Sequence, residues 1–170
     1  MSIIGAMSTD RVIGSGDGMP WDVPEEYAHF LRLVDGQTII IGRRSYEIFG
    51  AGLTSAHTVV VSRSANLPGV SVVPSVEAAV RVAGSFGRSV FSAGGASIYA
   101  QTILQADTMY LSFIKGRFTG DAYFPEFSEE EWAVERREDH PRFEFVVYRR
   151  MRAGVPGKAG RPGKADGSVG

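Results

Sequence analysis

Short apolar runs rich in β-branched residues recur along the chain and predict strands. Six of them lie at residues 2–7, 38–41, 58–61, 70–73, 89–91 and 109–114. Most of these runs are continuously apolar, which is typical of strands covered on both faces in a mainly parallel sheet. Two later runs, 132–137 and 143–150, alternate apolar and polar residues, which predicts a C-terminal antiparallel hairpin at the sheet edge.

Helical spacing fills the segments between the strands. Residues 24–34 carry apolar side chains at helical intervals, with Asp22 predicted as N-cap, Pro24 in the first turn and Glu25 closing a capping box. Further helices are predicted at 43–49, 76–83 and 96–104. Strands that alternate with helices indicate an α/β fold, with a mainly parallel central sheet, flanking helices and right-handed crossovers.

The composition changes after Met151. Residues 153–170 contain six glycines, two prolines and, apart from two valines, no large apolar side chain. We therefore expect one domain over residues 1–151, followed by a disordered tail at 152–170. The basic residues of this tail leave open an anion-binding arm, although a solvated appendage is the simpler interpretation.

Charge and cysteine content exclude several classes of protein. The 170 residues include 18 basic and 19 acidic side chains, a balance that gives no footprint for nucleic acid or an anionic membrane. There is no cysteine, so disulfides, thiolate nucleophiles and Cys-containing zinc sites are excluded. The three histidines, His29, His57 and His140, are too scattered to predict a metal site. With no apolar run near the ~20 residues that span a bilayer, and no signal-peptide pattern, we expect a cytoplasmic protein.

Three strand-to-loop junctions have the features of anion sites. They are Gly42-Arg43-Arg44-Ser45, Ser62-Arg63 and Gly94-Gly95. Arginines and glycines at the ends of buried strands can bind phosphates, and ligands of α/β sheets lie at that edge. Solvated arginines or a tight turn would explain each junction alone, but the three together favour NADP over NAD. The motifs GxGxxG, GxxxxGK[ST] and GxSxG are missing, which disfavours ordinary Rossmann enzymes, P-loop NTPases and α/β hydrolases.

Glu26 is the candidate acid. It lies in the first turn of the helix predicted at 24–34, and Phe30 shares its face at i+4. A carboxylate in a first turn also complements the helix dipole, for about 0.3–1 kcal/mol. The spacing alone leaves both interpretations open.

Six segments in order resemble the dihydrofolate reductase family. They are DRVIG at 10–14, MPWDVPEE at 19–26 with Phe30, IGRRSYE at 41–47, VSR at 61–63, GGASIY at 94–99 and GDAYFP at 120–125. The resemblance is collinear from Met1 to about Met151. It implies NADPH-dependent reduction of 7,8-dihydrofolate to 5,6,7,8-tetrahydrofolate, in support of one-carbon metabolism, by an enzyme that we expect to be a monomer and a target of antifolate inhibitors.

The resemblance also implies a role for individual residues. Glu26 would accept hydrogen bonds from the pterin ring N–H and 2-amino group, with Ser112 bonded to it, and Trp21 would exclude water. The expected substrate-binding residues are Ile4, Ala6, Tyr27, Phe30, Phe49 and Tyr99. The expected cofactor-binding residues are Ala6, Ile13, Gly14, Met19, Gly42, Arg43, Arg44, Ser45, Ser62, Arg63, Gly94, Gly95, Ala96, Ser97 and Ile98. Residues 9–23 would form a lid supported by Asp121, and the Gly94-Gly95 peptide would be cis.

One position departs from the family pattern. Members usually carry an arginine shortly after the second helix, where it holds the folate α-carboxylate, and Ala56 stands there in this chain. Either another cation replaces it, with His57 and Arg32 as candidates, or folate binds weakly, or the substrate is a pterin or pyrimidine that lacks the glutamate. Tyr27 is also bulkier than the usual aliphatic residue. A non-catalytic NADP-binding protein is the third alternative, which retention of Glu26 and Trp21 disfavours.

Overall fold

The computed structural model describes residues 1–16 and 18–151. Its strands are β1 (Ser2–Ser8), β2 (Val12–Gly14), β3 (Thr38–Gly42), β4 (His57–Val61), β5 (Ser71–Val73), β6 (Val90–Ser92), β7 (Thr108–Ile114), β8 (Ala122–Tyr123), β9 (Trp132–Asp139) and β10 (Phe143–Arg150). Its helices are α1 (Pro24–Val34), α2 (Arg43–Phe49), α3 (Val76–Gly84) and α4 (Ala96–Thr102), with a 3-10 turn at Gly50–Gly52. The predicted tail at 152–170 lies outside the described residues.

Eight of the described strands form one sheet in the order β5-β4-β3-β6-β1-β7-β10-β9. Its neighbours pair in parallel, except that β10 is antiparallel to both β7 and β9. The prediction of a mainly parallel sheet with a C-terminal hairpin at its edge is therefore confirmed. Because β1, β3, β4 and β6 run in the same direction, their carboxyl ends meet at one edge, where the three anion-type junctions come together.

The strand β3 shows why the apolar runs are continuous. Ile39 and Ile41 pack on one face of the sheet in a cluster that includes Val34 of α1. Ile40 points to the other face and packs with Ile98 of α4. Each of the three isoleucines is at most 2% exposed. Since helices cover both faces, neither face of the strand has room for polar side chains.

The start of α1 differs from the prediction. The helix does begin at Pro24, but its N-cap is Val23 and no side chain caps it. Glu25 makes no capping box with Asp22, because its carboxylate instead pairs with Arg142 of the hairpin turn at 2.7 Å. The predicted capping box is therefore wrong, and a contact distant in sequence replaces it.

Other differences from the predicted elements are small. Most predicted bounds differ from the observed ones by one or two residues, and α4 ends at Thr102 because the chain turns before Leu104, which is 79% exposed. The two-stranded sheet of β2 and β8 was not predicted. The two residues of β8 are too few to show a periodic pattern. Of the helices described, none has the length and apolar character needed to cross a membrane.

Candidate active site

An apolar cavity lies between α1, α2 and the carboxyl end of β1. Its walls come from Ile4, Gly5, Ala6, Ile13, Met19, Glu26, Tyr27, Phe30, Ile41, Ser45, Phe49, Leu53, Ala93, Gly95 and Tyr99. All six residues expected to bind substrate are in this set. Sequence reasoning missed Gly5, Ile41, Leu53 and Ala93. Leu53 and Ala93 lie in loops after α2 and β6 and reach the cavity only through the tertiary fold. The cavity is apolar apart from a few polar groups, which is the usual form of a site for a small heterocycle.

Among the residues that the structure describes, Glu26 is the only carboxylate in the wall of this cavity. Its side chain comes from the first turn of α1 and the residue is 6% exposed, with no ion pair to any described residue. Burial raises the pKa of the Glu26 carboxyl, and a hydrogen bond with the Ser112 hydroxyl partly offsets that rise. Ser112 lies on β7 in register with Ala6 of β1, so two neighbouring strands and a helix converge on the carboxyl group.

Tyr99 forms part of the cavity wall from the side of α4. Its hydroxyl donates a hydrogen bond of 2.8 Å to the carbonyl oxygen of Ile4. Burial raises the pKa of the phenol, and the nearby Glu26 carboxylate raises it further. A Cβ on Gly94 would lie 2.8 Å from the Tyr99 ring, and Gly94 has a φ of 97°, so both the space and the backbone require glycine there. The Gly94-Gly95 peptide is cis, as expected.

Trp21 lies in the segment that was expected to form a lid. It packs in an apolar cluster with Ala6 and Met19, and its ring meets Phe118 edge-on with centroids 5.4 Å apart. Its indole N–H is buried and finds no acceptor among the described residues. Neither Trp21 nor Ser112 lines the cavity directly. Trp21 instead packs against Ala6 and Met19 of its wall, whereas Ser112 reaches it through Glu26.

A second, larger cleft of about 520 Å³ adjoins the first and shares Ile13, Ser45, Phe49 and Gly95 with it. Twelve of the expected cofactor residues line it: Ile13, Gly14, Gly42, Arg43, Arg44, Ser45, Ser62, Arg63, Gly95, Ala96, Ser97 and Ile98. Ala6 and Met19 line the first cavity instead, and Gly94 lines neither. Ile48, Pro74 and Gln101 also line the cleft but were not predicted.

Arg43, Arg44 and Ser62 of this cleft have partners within the protein. Arg44 donates to the Gly16 carbonyl at 3.1 Å, and Arg43 forms an i,i+4 ion pair with Glu47 at 3.9 Å. The Ser62 hydroxyl accepts the backbone N–H groups of residues 64 and 65 at 3.3 and 3.0 Å, so it shapes the turn that carries Arg63. Arginines around a glycine-lined cleft fit a phosphorylated dinucleotide.

Asp121 contacts the lid segment through its backbone. Its N–H donates to the carbonyl oxygen of Gly14 at 3.0 Å, next to the pairing of β2 with β8. Any L side chain at Gly120 would collide with that same carbonyl. The expected support of the lid thus depends on close backbone approach, with the Asp121 side chain itself exposed.

The two residues suggested as replacements for the missing arginine lie outside the cavity. The His57 ring stacks on Phe86 with centroids 3.9 Å apart, and Arg32 is exposed in the last turn of α1. Ala56 is exposed, and its N–H donates to the Gln37 carbonyl at 2.8 Å. None of these three residues lines either cavity.

A buried acid beside a cleft suited to a phosphorylated dinucleotide fits a nucleotide-dependent reductase of the α/β class. The dihydrofolate reductase family model matches residues 1–150. The chain therefore belongs to the dihydrofolate reductase family, whose members reduce 7,8-dihydrofolate to tetrahydrofolate with NADPH, and it is an oxidoreductase of that kind.

Individual relatives agree with the family match. The chain is 35% identical to dihydrofolate reductase type A13 of Escherichia coli over 134 residues, which cover 78% of this chain and 81% of the relative. It is 32% identical to dihydrofolate reductase type 3 of Salmonella typhimurium over 161 residues, which cover 89% and 99%. The dihydrofolate reductase of Enterococcus faecalis, complexed with NADP(H) and RAB-propyl, shares the fold with a TM-score of 0.78 at 24% identity, covering 89% of this chain and 96% of that one. These relatives do not favour the alternative of a non-folate pterin or pyrimidine.

Proposed function

We propose that the first cavity binds the pterin ring of 7,8-dihydrofolate and that Glu26 holds it there. The observation that carries this proposal is the burial of Glu26 in an otherwise apolar wall. A buried carboxylate without a cation needs hydrogen-bond donors, and a pterin offers two of them, its ring N–H and its 2-amino group. Two parallel hydrogen bonds also fix the orientation of the ring, which brings one of its faces toward the adjoining cleft.

The reaction needs a hydride at a ring carbon and a proton at the neighbouring nitrogen. NADPH supplies the hydride when it is bound. Glu26 holds the ring as a carboxylate, and because burial raises its pKa, it takes up a proton more readily than an exposed glutamate does and can pass that proton toward the bound ring. Trp21 excludes bulk water from above, and its buried indole N–H can donate to a polar atom of the substrate or to a water molecule.

The second cleft is proposed to hold the phosphates of NADPH. Arg43 and Arg63 lie at the ends of neighbouring parallel strands, so their guanidinium groups can bind separate phosphates with charge-assisted hydrogen bonds. The Ser45 hydroxyl lies beside Gly95, where an added Cβ would approach it to 3.2 Å. Because Gly95 has no Cβ, a phosphate of the ligand can approach the backbone at this position. The cofactor's reactive ring would then lie where the two cavities join, near Ala6, Ile13 and Met19.

We also propose a cytoplasmic monomer that antifolates inhibit. Among the described residues, only three large apolar side chains are exposed, those of Ile48, Leu104 and Tyr123, and so few supply little apolar surface for a second copy. The absence of cysteine is compatible with a reducing compartment. Inhibitors with a diaminopyrimidine ring would present the same pair of donors to Glu26 as the pterin does. Sedimentation analysis at micromolar concentration should therefore give the mass of one chain.

A substrate panel tests the proposed function. NADPH oxidation is followed with 7,8-dihydrofolate, with dihydrobiopterin and with the pyrimidine intermediate of riboflavin synthesis. We expect dihydrofolate to be reduced fastest and the riboflavin intermediate not to be reduced. A preference for either other substrate by more than about tenfold in kcat/KM, or ~1.4 kcal/mol, would contradict the assignment to dihydrofolate.

A further inference from the structure

One arginine of the C-terminal hairpin holds the beginning of α1. Arg142 donates from Nε and Nη2 to the two carboxylate oxygens of Glu25, at 2.8 and 2.7 Å. Its Nη1 also donates to the carbonyl oxygen of Asp22 at 3.4 Å. The arginine thereby contacts both ends of the four-residue segment that lies between Trp21 and Glu26. Glu25 is adjacent to Glu26 in the chain, and Asp22 is adjacent to Trp21.

The turn that carries Arg142 is itself fixed to β7. Lys115, which directly follows β7, donates its backbone N–H to the Arg142 carbonyl at 2.9 Å. Its ammonium group donates to Asp139 and to the His140 carbonyl, both at 2.7 Å. Because β7 also carries Ser112, the turn connects the strand that carries Ser112 with the helix that carries Glu26. These are the two groups whose mutual position sets the environment of the buried carboxyl.

Other contacts between α1 and the hairpin are weaker. His29 packs edge-on against Phe145 with centroids 4.3 Å apart, and its Nε2 lies 4.0 Å from a carboxylate oxygen of Glu138, beyond hydrogen-bond distance. Burial lowers the pKa of His29, which keeps it neutral near pH 7. Within the described part of the chain, the hydrogen bonds to Glu25 are the only ones that join α1 to the hairpin.

We propose that Arg142 is a positioning residue for the reaction, and that it acts by holding Glu25 and the Asp22 carbonyl so that Glu26 and Trp21 keep their places against the substrate. The proposal rests on the proposed function of Glu26. Arg142 lines neither cavity, so it does not touch the substrate. An exposed ion pair adds little to stability, whereas small displacements of groups that align a substrate lower its rate of reaction considerably. We therefore expect the loss of Arg142 to affect turnover more than unfolding.

The pH dependence of the rate provides a specific measurement. The groups facing the Glu26 carboxyl are the Ser112 hydroxyl and the Tyr99 phenol, and both are uncharged near neutral pH. If the first turn of α1 loosens, water reaches the carboxyl and its raised pKa falls toward the ordinary value. Since Glu26 is proposed to pass a proton to the ring, the rate declines as pH rises through the pKa of Glu26. The decline should therefore begin at lower pH when Arg142 is lost.

The experiment measures single-turnover reduction of dihydrofolate against pH, together with KM and Tm. The test variants are Arg142→Ala, Arg142→Lys and Glu25→Gln. Arg149→Ala is the matched control, because Arg149 makes a similar two-bond ion pair with Glu135 in the same hairpin, at 3.3 and 3.0 Å, without touching α1. Arg142 and Arg149 have nearly the same side-chain exposure, 52% and 54%.

We expect Arg142→Ala and Glu25→Gln each to lower the rate about 3- to 30-fold, less than the roughly hundredfold effect of a 1 Å misplacement. Both should move the alkaline decline to lower pH, Arg142→Lys should restore part of the loss, and Arg149→Ala should match the wild type. The proposal is overturned if Arg142→Ala changes Tm while leaving rate and pH profile unaltered, or if Arg149→Ala gives the same shift. A normal rate in Glu26→Gln would instead contradict the role of Glu26, which separates the two failures.

Discussion

Replacing Glu26 with glutamine tests the central feature of the site. Glutamine keeps the shape of the side chain but removes its negative charge, and its amide can accept from only one of the two pterin donors through its single oxygen. The NH2 group would then face the other donor. Since the residue is 6% exposed in the cavity wall, water cannot readily compensate for the lost hydrogen bond.

The expected loss of activity is large. Two charge-assisted hydrogen bonds contribute about 1.5–3 kcal/mol each, so together they account for roughly 3–6 kcal/mol. At about 1.4 kcal/mol for each tenfold change, the hydride-transfer rate near neutral pH should fall by about 10²- to 10⁴-fold. The bound cofactor should be unaffected, because the phosphate cleft does not include Glu26.

The same substitution should lower activity but raise the free energy of unfolding relative to the wild type. Burial raises the pKa of Glu26, so above the ordinary pKa of a glutamate the folded state binds more protons than the unfolded state does. The free energy of unfolding contributed by this group therefore falls as pH rises through that range. The glutamine variant lacks this dependence, and its stability relative to the wild type should increase as pH rises above the ordinary pKa of a glutamate.

The assay combines stopped-flow hydride transfer, NADPH binding by fluorescence and urea unfolding at several pH values. Ser112→Ala is a useful companion variant, because it keeps the carboxylate but removes the hydroxyl bonded to it. A loss of less than about tenfold in Glu26→Gln, ~1.4 kcal/mol, would refute the reasoning. It would mean that Glu26 serves only as a first-turn residue of α1.

Three further predictions concern other parts of the molecule. Arg43→Ala combined with Arg63→Ala should weaken NADPH binding by about 1.5–3 kcal/mol per contact and largely remove any preference over NADH; equal use of both cofactors by the wild type would contradict this. Arg150→Met should lower the free energy of unfolding in urea by about 1–3 kcal/mol, since Arg150 donates to the Ala106 carbonyl and lies 4.4 Å from the Trp132 ring; an unchanged transition midpoint would contradict it. Ala56→Arg should tighten dihydrofolate by roughly 1–3 kcal/mol but leave dihydropteroate unchanged, whereas tightening of both would show that position 56 does not face the carboxylate.

Local patterns predicted the sheet because a strand that is buried on both faces carries apolar residues at consecutive positions. Ile39, Ile40 and Ile41 are all apolar since alternate residues face different helices. The capping box failed for the converse reason. Glu25 has an alternative partner, Arg142, which lies 117 positions away, and spacing along the chain contains no information about such a contact.

The same distinction applies to the candidate site. Residues at strand ends, such as Arg43 and Arg63, could be identified because the chemistry of each junction is local and the edge of a parallel sheet brings the junctions together. Leu53 and Ala93 carry no chemical signal of their own, and only the tertiary fold places them in the cavity wall. The contact of Asp121 with Gly14 is made by backbone atoms, so the identity of the side chain does not disclose it.

Glu25 and Glu26 show how burial separates two interpretations that sequence spacing left open. Both glutamates occupy the first turn of α1, and either could complement the helix dipole. Glu25 is exposed, and its pKa is lowered to about 2 by Arg142, as suits a charge that remains ionised at the surface. Glu26 is buried, and its pKa is raised, which is unfavourable for a charge that only complements a dipole. A carboxyl kept in that unfavourable environment, facing an apolar cavity, favours the role of binding a substrate that brings its own donors.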